Sequence, residues 1–155
     1  MSKEISYACG ISDKPLLGDT IGDKFDEISS QYSEREAIVS VHQDIRLTYN
    51  ELAKKVNKLS KAFISSGFQK GHRVGIWSSN NVEWLITQYA AAKVGVILVT
   101  INPAYRSHEL EYVLSQSGCS GIILQNQFKT SDYESMICEI CPEVRNVKPG
   151  ELKSK

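Results

Sequence analysis

Three short stretches carry residue types that could do chemistry. Ser78-Ser79-Asn80 follows an apolar segment ending at Trp77, so it falls beyond the carboxyl end of a strand, where open α/β sheets bind ligands. Its hydroxyls and amide could donate to an anion, although a plain helix cap uses the same residue types. A nucleotide site brings backbone amides close to phosphates, usually with glycines at a strand-to-helix turn. This turn has no glycine, and no Gly-Lys pair occurs anywhere, which excludes the common phosphate-binding loop. Cys138-Glu139-Ile140-Cys141 has the spacing of a redox motif or half a zinc site. It falls at the end of a helical pattern, just before Pro142, where the helix dipole has the wrong sign to lower a thiol pKa. With no second such pair, these read as buried structural cysteines. His108-Glu109 starts like a zinc-protease helix, but Tyr112 stands where the second histidine belongs. His42 and His72 have no carboxylate or cysteine partners in sequence and read as surface or turn residues.

The elements that would position these residues follow from periodicity. Residues 1–19 are polar, with Gly10, Pro15 and Gly18, and read as an extended lead-in. Ile21, Phe25, Ile28 and Tyr32 lie on one face of an amphipathic helix. Ala37 to Val41 and Ile45 to Thr48, joined by His42-Gln43-Asp44, form a short hairpin. Thr48 and Glu51 make a capping box before the buried stripe Leu52, Val56, Leu59 and Phe63, and Gly67 stops that helix. Lys54, Lys55, Lys58 and Lys61 lie opposite the stripe and form a solvated face that acidic groups of a partner could use.

A strand–helix rhythm then repeats. Arg73 to Trp77 is a strand; Asn80 caps a helix with Glu83 at its third position, and Gly95 ends it. Val96 to Ile101 is a second strand, followed by a helix from Ser107 through Tyr112 and Leu114 to Gly118. Gly121 to Leu124 is a third strand, Ser131 and Glu134 form another capping box, and Val144 to Val147 reads as a weak fourth strand. The last two apolar runs do not alternate, as expected of strands covered on both faces. Right-handed crossovers then give an open, mostly parallel, doubly wound α/β sheet with helices on both faces, preceded by a helix and a hairpin. Trp77, Trp84, Tyr89 and Tyr105 are assigned to packing, unless Tyr105 lines a pocket.

Composition sets the outer limits. A chain of 155 residues is one domain's worth and can bury roughly 70% of its unfolded surface. Eighteen basic and eighteen acidic residues give a formal charge of zero, so no global field draws in nucleic acid or an anionic membrane. The longest apolar run, Val94 to Ile101, is far below the roughly 18 to 20 residues that cross a bilayer. The first 30 residues lack a signal-peptide hydrophobic stretch, and their acidic residues do not suit a mitochondrial transit peptide. Cys9, Cys119, Cys138 and Cys141 do not make a disulfide framework in a chain with this much core, which points to a reducing compartment.

Several ordered segments resemble the N-terminal part of adenylate-forming acyl-CoA synthetases. They are Leu47-Thr48-Tyr49-Asn50-Glu51-Leu52; Gly67 to Val74, with His72 where an Asp is usual; Asn80, Trp84 and Ala91-Ala92-Lys93-Val94-Gly95; and Asn102-Pro103-Ala104-Tyr105 with Glu109 to Leu114. Pro15 to Gly22, Glu34 to Ala37, Gln127 to Thr130 and Ile140 to Val144 are similar to the mitochondrial, medium-chain fatty acid–CoA ligase type. The resemblance implies that residues 20–147 are a partial, incomplete synthetase N-terminal domain and that 148–155 are a linker or cut end. It implies ATP, Mg2+ and coenzyme A for the full-length enzyme, a fatty acid substrate, an acyl-adenylate intermediate, and a mitochondrial location, with the cytoplasm as the alternative. The family's chemistry needs a Ser/Thr/Gly-rich loop ending in Pro-Lys, a Tyr-Gly-x-Thr-Glu segment, a ribose-binding Asp and a lid lysine. Here no Thr adjoins a Gly, no proline precedes a lysine and no Thr-Glu pair exists. No catalytic, cofactor-binding or metal residue is therefore carried over, and the chain alone is expected to be inactive. The alternative is a short, non-catalytic α/β binding product that associates with a full-length synthetase; an unrelated flavodoxin-like module fits the ordered motifs poorly.

Overall fold

A computed structural model describes residues 10, 13–14, 16–148 and 151–152; Cys9, Pro15 and most of the lead-in before residue 16 and of the expected linker 148–155 lie outside these. Helix α1 (Ile21–Gln31) is capped by Thr20, whose Oγ1 accepts from Asp23 N at 3.1 Å, and it buries Phe25. Strands β1 (Glu36–Ser40) and β2 (Ile45–Thr48) pair antiparallel, as the hairpin pattern predicts. Between them the predicted connector is a single 3-10 turn ending in Asp44 at φ 52°. Helix α2 (Tyr49–Ser65) opens with the expected capping box: Thr48 Oγ1 accepts from Glu51 N at 3.3 Å, and Glu51 accepts from Thr48 N at 2.8 Å. Leu52, Val56 and Phe63 are buried, Leu59 is half-buried, and Ser60 joins the buried face by donating to Val56 O.

The main sheet has three parallel strands in the order β4 (Ile97–Ile101), β3 (Arg73–Trp77), β5 (Gly121–Leu124). From β3 the chain passes through α3 (Val82–Val94) to β4 on one side, then through α4 (Ser107–Ser117) across to β5 on the other. Two right-handed crossovers running in opposite directions must place their helices on opposite faces. Two cores result. Phe25, Leu52, Val56, Phe63, Ala90 and Ala91 pack with Val74, Leu98 and Ile123 on one face. Trp77, Ile101, Leu110, Tyr133, Met136 and Ile137 pack with Val99, Ile122 and Leu124 on the other. Neighbouring strand residues point to opposite cores, the period of two that a strand imposes.

Sequence reading and structure differ in several places. β3 is the middle strand, with Val74 to Trp77 all buried, while β4 and β5, which pack into both cores as their apolar runs predict, are the edges of the three-stranded sheet, and Ile97 is exposed. Asn81, not Asn80, caps α3, because its Oδ1 reaches Trp84 N at 2.8 Å; Glu83 is instead held by Gln43. Asp132, not Ser131, caps α5 (Tyr133–Ile140); Ser131 is buried in the short β6 (Gln127–Phe128)–β7 (Ser131–Asp132) pair. Leu110 rather than Tyr112 anchors α4, and Tyr112 is exposed. Residues Pro142–Arg145 form a 3-10 turn where a fourth strand is predicted, since Pro142 offers no N–H to a ladder and fits the first position of a turn.

Two glycines are required by geometry. A Cβ on Gly75, in the middle of β3, would lie 3.0 Å from Ile101 Cδ1. Gly95 ends α3 at φ 71°, where a side chain would also meet Lys70 Cγ at 2.9 Å. The turn before β3 shows what His72 does in place of the usual Asp. Its Nδ1 accepts from Gln69 N at 3.3 Å, the role a carboxylate oxygen fills in such turns, while its ring packs edge-on to Phe68.

Trp77 ends β3 and Tyr133 starts α5; both are fully buried, with ring planes 5° apart and centroids 3.5 Å apart. Replacing Trp77 by Ala should cost about 3 to 5 kcal/mol, and Tyr133→Phe, which keeps the stack but loses one hydrogen bond, about 1 kcal/mol. Urea denaturation of the two variants checks the ranking, and equal losses would show that the stack is not the main term.

Candidate functional site

The connection leaving β3 goes to β4, while β5 flanks β3 on its other side, so the topological switch point of this sheet is the crevice between β3 and β5. In open α/β sheets this is where ligands bind. Residues 78–81 line it from β3, and Gln125 enters it from the end of β5. Gln125 Oε1 lies within hydrogen-bond reach of three donors: Ser78 Oγ (3.1 Å), Ser79 N (3.1 Å) and Ser79 Oγ (2.9 Å). Its Nε2 donates to Gln127 O at 2.7 Å. Asn81 Nδ2 donates to Ser78 Oγ at 2.8 Å while Asn81 Oδ1 caps α3. At the helix start, Val82 N donates to Gln43 Oε1 at 2.9 Å.

The donors that would meet an anion are thus engaged by two glutamine carboxamides of the chain itself. Of the two readings of Ser78-Ser79-Asn80, the geometry favours the turn and cap, and Asn80 is exposed outside the network. Below the turn a cavity of about 390 Å³ opens between Ile76, Trp84, Ile123 and Leu124, with Glu83, Asn126 and Gln127 at its polar rim. Trp84 is therefore half-buried at a cavity wall rather than in the core. Gln125 was not singled out by sequence reasoning. A glutamine after an apolar strand carries no signal until the strand order brings it beside the turn of a strand 46 residues earlier.

The remaining candidates fall apart in space. Cys138 is buried in the last turn of α5, as expected, whereas Cys141, that helix's C-cap, is only half-buried because the chain turns outward there into Pro142. The Cys138 thiol holds the Arg145 guanidinium above its ordinary pKa by a hydrogen bond. Cys119 lies elsewhere, at the start of β5, with Sγ 3.1 Å from Ser117 Oγ. His108 is exposed on α4, and His42 is exposed, its Nδ1 3.4 Å from Ser40 Oγ. Among the described residues no group of three or more His, Cys, Asp or Glu side chains could hold a metal ion, and no helix is long and apolar enough to cross a membrane. Tyr105 packs against the core that contains Trp77.

A family model described as AMP-binding enzyme matches residues 25–153. The mouse mitochondrial medium-chain acyl-CoA ligase ACSF2 is 42% identical over 97% of this chain, which covers 25% of that protein. A putative acyl-CoA synthetase of Bacillus subtilis, YngI, is 36% identical over 90% of the chain and 26% of its own length. Among solved structures, the N-terminal domain of FACL13 from Mycobacterium tuberculosis superposes with a TM-score of 0.70 at 25% identity, over 87% of this chain and 33% of that one. The chain spans about a quarter of the length of the curated relatives it matches.

Removing the Gln125 carboxamide should loosen the switch-point turn. Gln125→Ala is expected to cost about 1 to 2 kcal/mol and to speed hydrogen exchange at the Ser79 amide; unchanged exchange would mean that water replaces it without loss. A second expectation concerns acid. Glu51 is held below its ordinary pKa chiefly by the Thr48 N–H, and Asp132 chiefly by the Ser135 N–H. Their stabilisation is complete above about pH 5 and is lost as pH falls past the ordinary carboxylate range and through the lowered native values, where the folded chain must take up the protons it resists. Thermal melts of wild type and Asp132→Asn, which keeps a cap oxygen but cannot titrate, should converge as pH falls.

Proposed function

The chain belongs to the AMP-binding enzyme family, and from that premise we propose that it is the N-terminal part of a medium-chain fatty acid–CoA ligase. The observation that carries the reading is the 42% identity to ACSF2 along almost the whole of this chain, with the capping box, the Gly67–Gly71 turn and the Asn102-Pro103 exit each formed in place. The complete enzyme joins a fatty acid carboxylate to ATP, releases pyrophosphate, and passes the acyl group to coenzyme A with Mg2+ as the nucleotide's counter-ion. The name of the relatives supports a mitochondrial location. Residues 20–147 are read as a portion of the synthetase N-terminal domain.

In this reading the cradle for ATP and its metal is assigned to residues outside those described. The strand-to-helix turn has no glycine, its donors are taken by Gln125 and Gln43, and Glu83 at the cavity rim belongs to no group of three or more possible metal ligands among the described residues. No residue of this chain is given a catalytic role, and no chemical step is assigned to it. Its part is architectural: it supplies three parallel strands and the hairpin on which the rest of the catalytic domain is built.

The β5 edge supports that role. Among the described residues β5 is hydrogen-bonded as a strand on one side only, to β3, and its four residues are each partly exposed. A hollow of about 250 Å³ runs beside it between Leu59, Phe63, Phe68, Val74 and Ile123. An open strand edge above apolar surface is a site for further pairing, and left bare it favours aggregation. The same edge would serve the second reading, a non-catalytic product that associates with a full-length synthetase.

The purified chain, given octanoate, ATP and coenzyme A, should form no acyl-CoA and release no pyrophosphate. Turnover would overturn the assignment of catalysis to residues outside this chain. Detection of the native protein with an antibody against residues 47–124 separates the two readings: a species several times larger, carrying ligase peptides, supports the first, and a native product of this size the second.

A further inference from the structure

Formal charge is zero over the whole chain, yet the fold separates the charges. Lys54, Lys55, Lys58 and Lys61 are all exposed on α2 and form no ion pair with any described residue. Lys54, Lys58 and Lys61 follow the four-and-three spacing that puts side chains in one line on a helix. The nearby carboxylates offset the line only at its start or are paired elsewhere. Glu51, the one acid of α2, folds back on the Thr48 N–H and faces Lys54 and Lys55, which leaves Lys58 and Lys61 beyond it. On the neighbouring α1, Asp26 pairs with Lys93, Glu27 with Lys24, and Asp23 accepts from the Thr20 hydroxyl. Screening confines electrostatic attraction to about 10 Å at ordinary salt, so a partner at this face feels the stripe rather than the net charge.

We propose that the α2 lysine face docks on an anionic phospholipid surface. Lysines are flexible point charges, suited to a diffuse layer of headgroups rather than to the bidentate capture of one phosphate that arginines provide. The lysines are exposed, and none of them lines either cavity described above, where a small anion could be enclosed. Ile64, 62% exposed, sits three residues past Lys61. It places an apolar side chain beside the cationic line, the pairing that lets a helix rest at a bilayer interface. The choice of a bilayer over another polyanion rests on the ligase reading, because an acyl substrate partitions into membranes. Binding is measured without turnover, so the two readings fail separately.

The test is co-flotation of the intact protein with vesicles of phosphatidylcholine alone and of phosphatidylcholine with phosphatidylserine, at low and high salt. Each lysine near such a surface strengthens partitioning about fivefold. The double variant Lys58→Gln, Lys61→Gln keeps helix-forming residues and should bind the phosphatidylserine vesicles about 25-fold more weakly. High salt should release the wild type, and pure phosphatidylcholine should not hold it. Equal binding by the variant, equal binding to both vesicle types, or no binding would each overturn the proposal. Retention by polyglutamate or DNA without vesicle binding would overturn it too, in favour of a polyanionic macromolecule.

Discussion

The rest of the fold depends on a stacked pair of aromatic rings whose polar tips hold two consecutive carbonyls. Trp77 Nε1 donates to Asn102 O at 3.0 Å, and the Tyr133 hydroxyl donates to Pro103 O at 2.5 Å. Burial pushes the Tyr133 phenol above its ordinary pKa, so it remains a donor. Both rings are fully buried, and a buried indole or phenol without a partner is costly. The stack therefore forms only where the chain presents two acceptors side by side. The exit of β4 provides them: Asn102 Oδ1 accepts from Ala104 N at 2.9 Å and closes a tight turn, while Pro103 fixes the backbone within it. The end of the central strand, the exit of an edge strand and the start of α5 are locked together in this way.

That lock decides where the second core lies. α5 has no strand of the main sheet directly before it, so propensity alone would leave it free to pack anywhere. Tyr133 pins its first turn against Trp77, and Met136 and Ile137 then close over Ile101 and Leu110. On the opposite face no such device is needed. α3 is apolar around much of its circumference because it lies over the sheet between α1 and α2, and Ala90 and Ala91 let α2 approach closely enough for Ser60 Oγ to reach Ala90 O. The Lys93–Asp26 pair fastens α1 to the same helix at its rim.

Elements governed by local chemistry were legible in the sequence, and those governed by strand order were not. The α2 capping box, the strand from Arg73 to Trp77, the strand from Gly121 to Leu124 and the stops at Gly95 and Gly118 depend on residues within a few positions of one another. Two caps fall one residue later than the Asn80–Glu83 and Ser131–Glu134 spacings indicate, because a second cap-forming residue, Asn81 or Asp132, stands next in the chain. Only packing selects Asn81 over Asn80, or buries Ser131 and leaves Asp132 to cap. Continuous apolar runs marked β4 and β5 as strands covered on both faces, which they are, but such runs do not tell an edge from a middle strand, and β3 takes the middle. Gln125 was invisible for the same reason, since its partners lie across the switch point.

The switch-point crevice shows why a fold alone does not confer a site. A parallel sheet with reversed connections always leaves a gap at the carboxyl ends of its strands, and the gap becomes a phosphate site only if unengaged donors face it. Here the turn lacks the glycines that would bring backbone amides forward. Its hydroxyls and the Ser79 amide close on Gln125, while Val82 N closes on Gln43 from the hairpin connector. Those bonds tie β5, the hairpin and α3 to the end of β3. Spending these donors on joining four elements fixes the end of β3 to its neighbours, which is what the proposed reading asks of a platform that holds loops from elsewhere in a polypeptide.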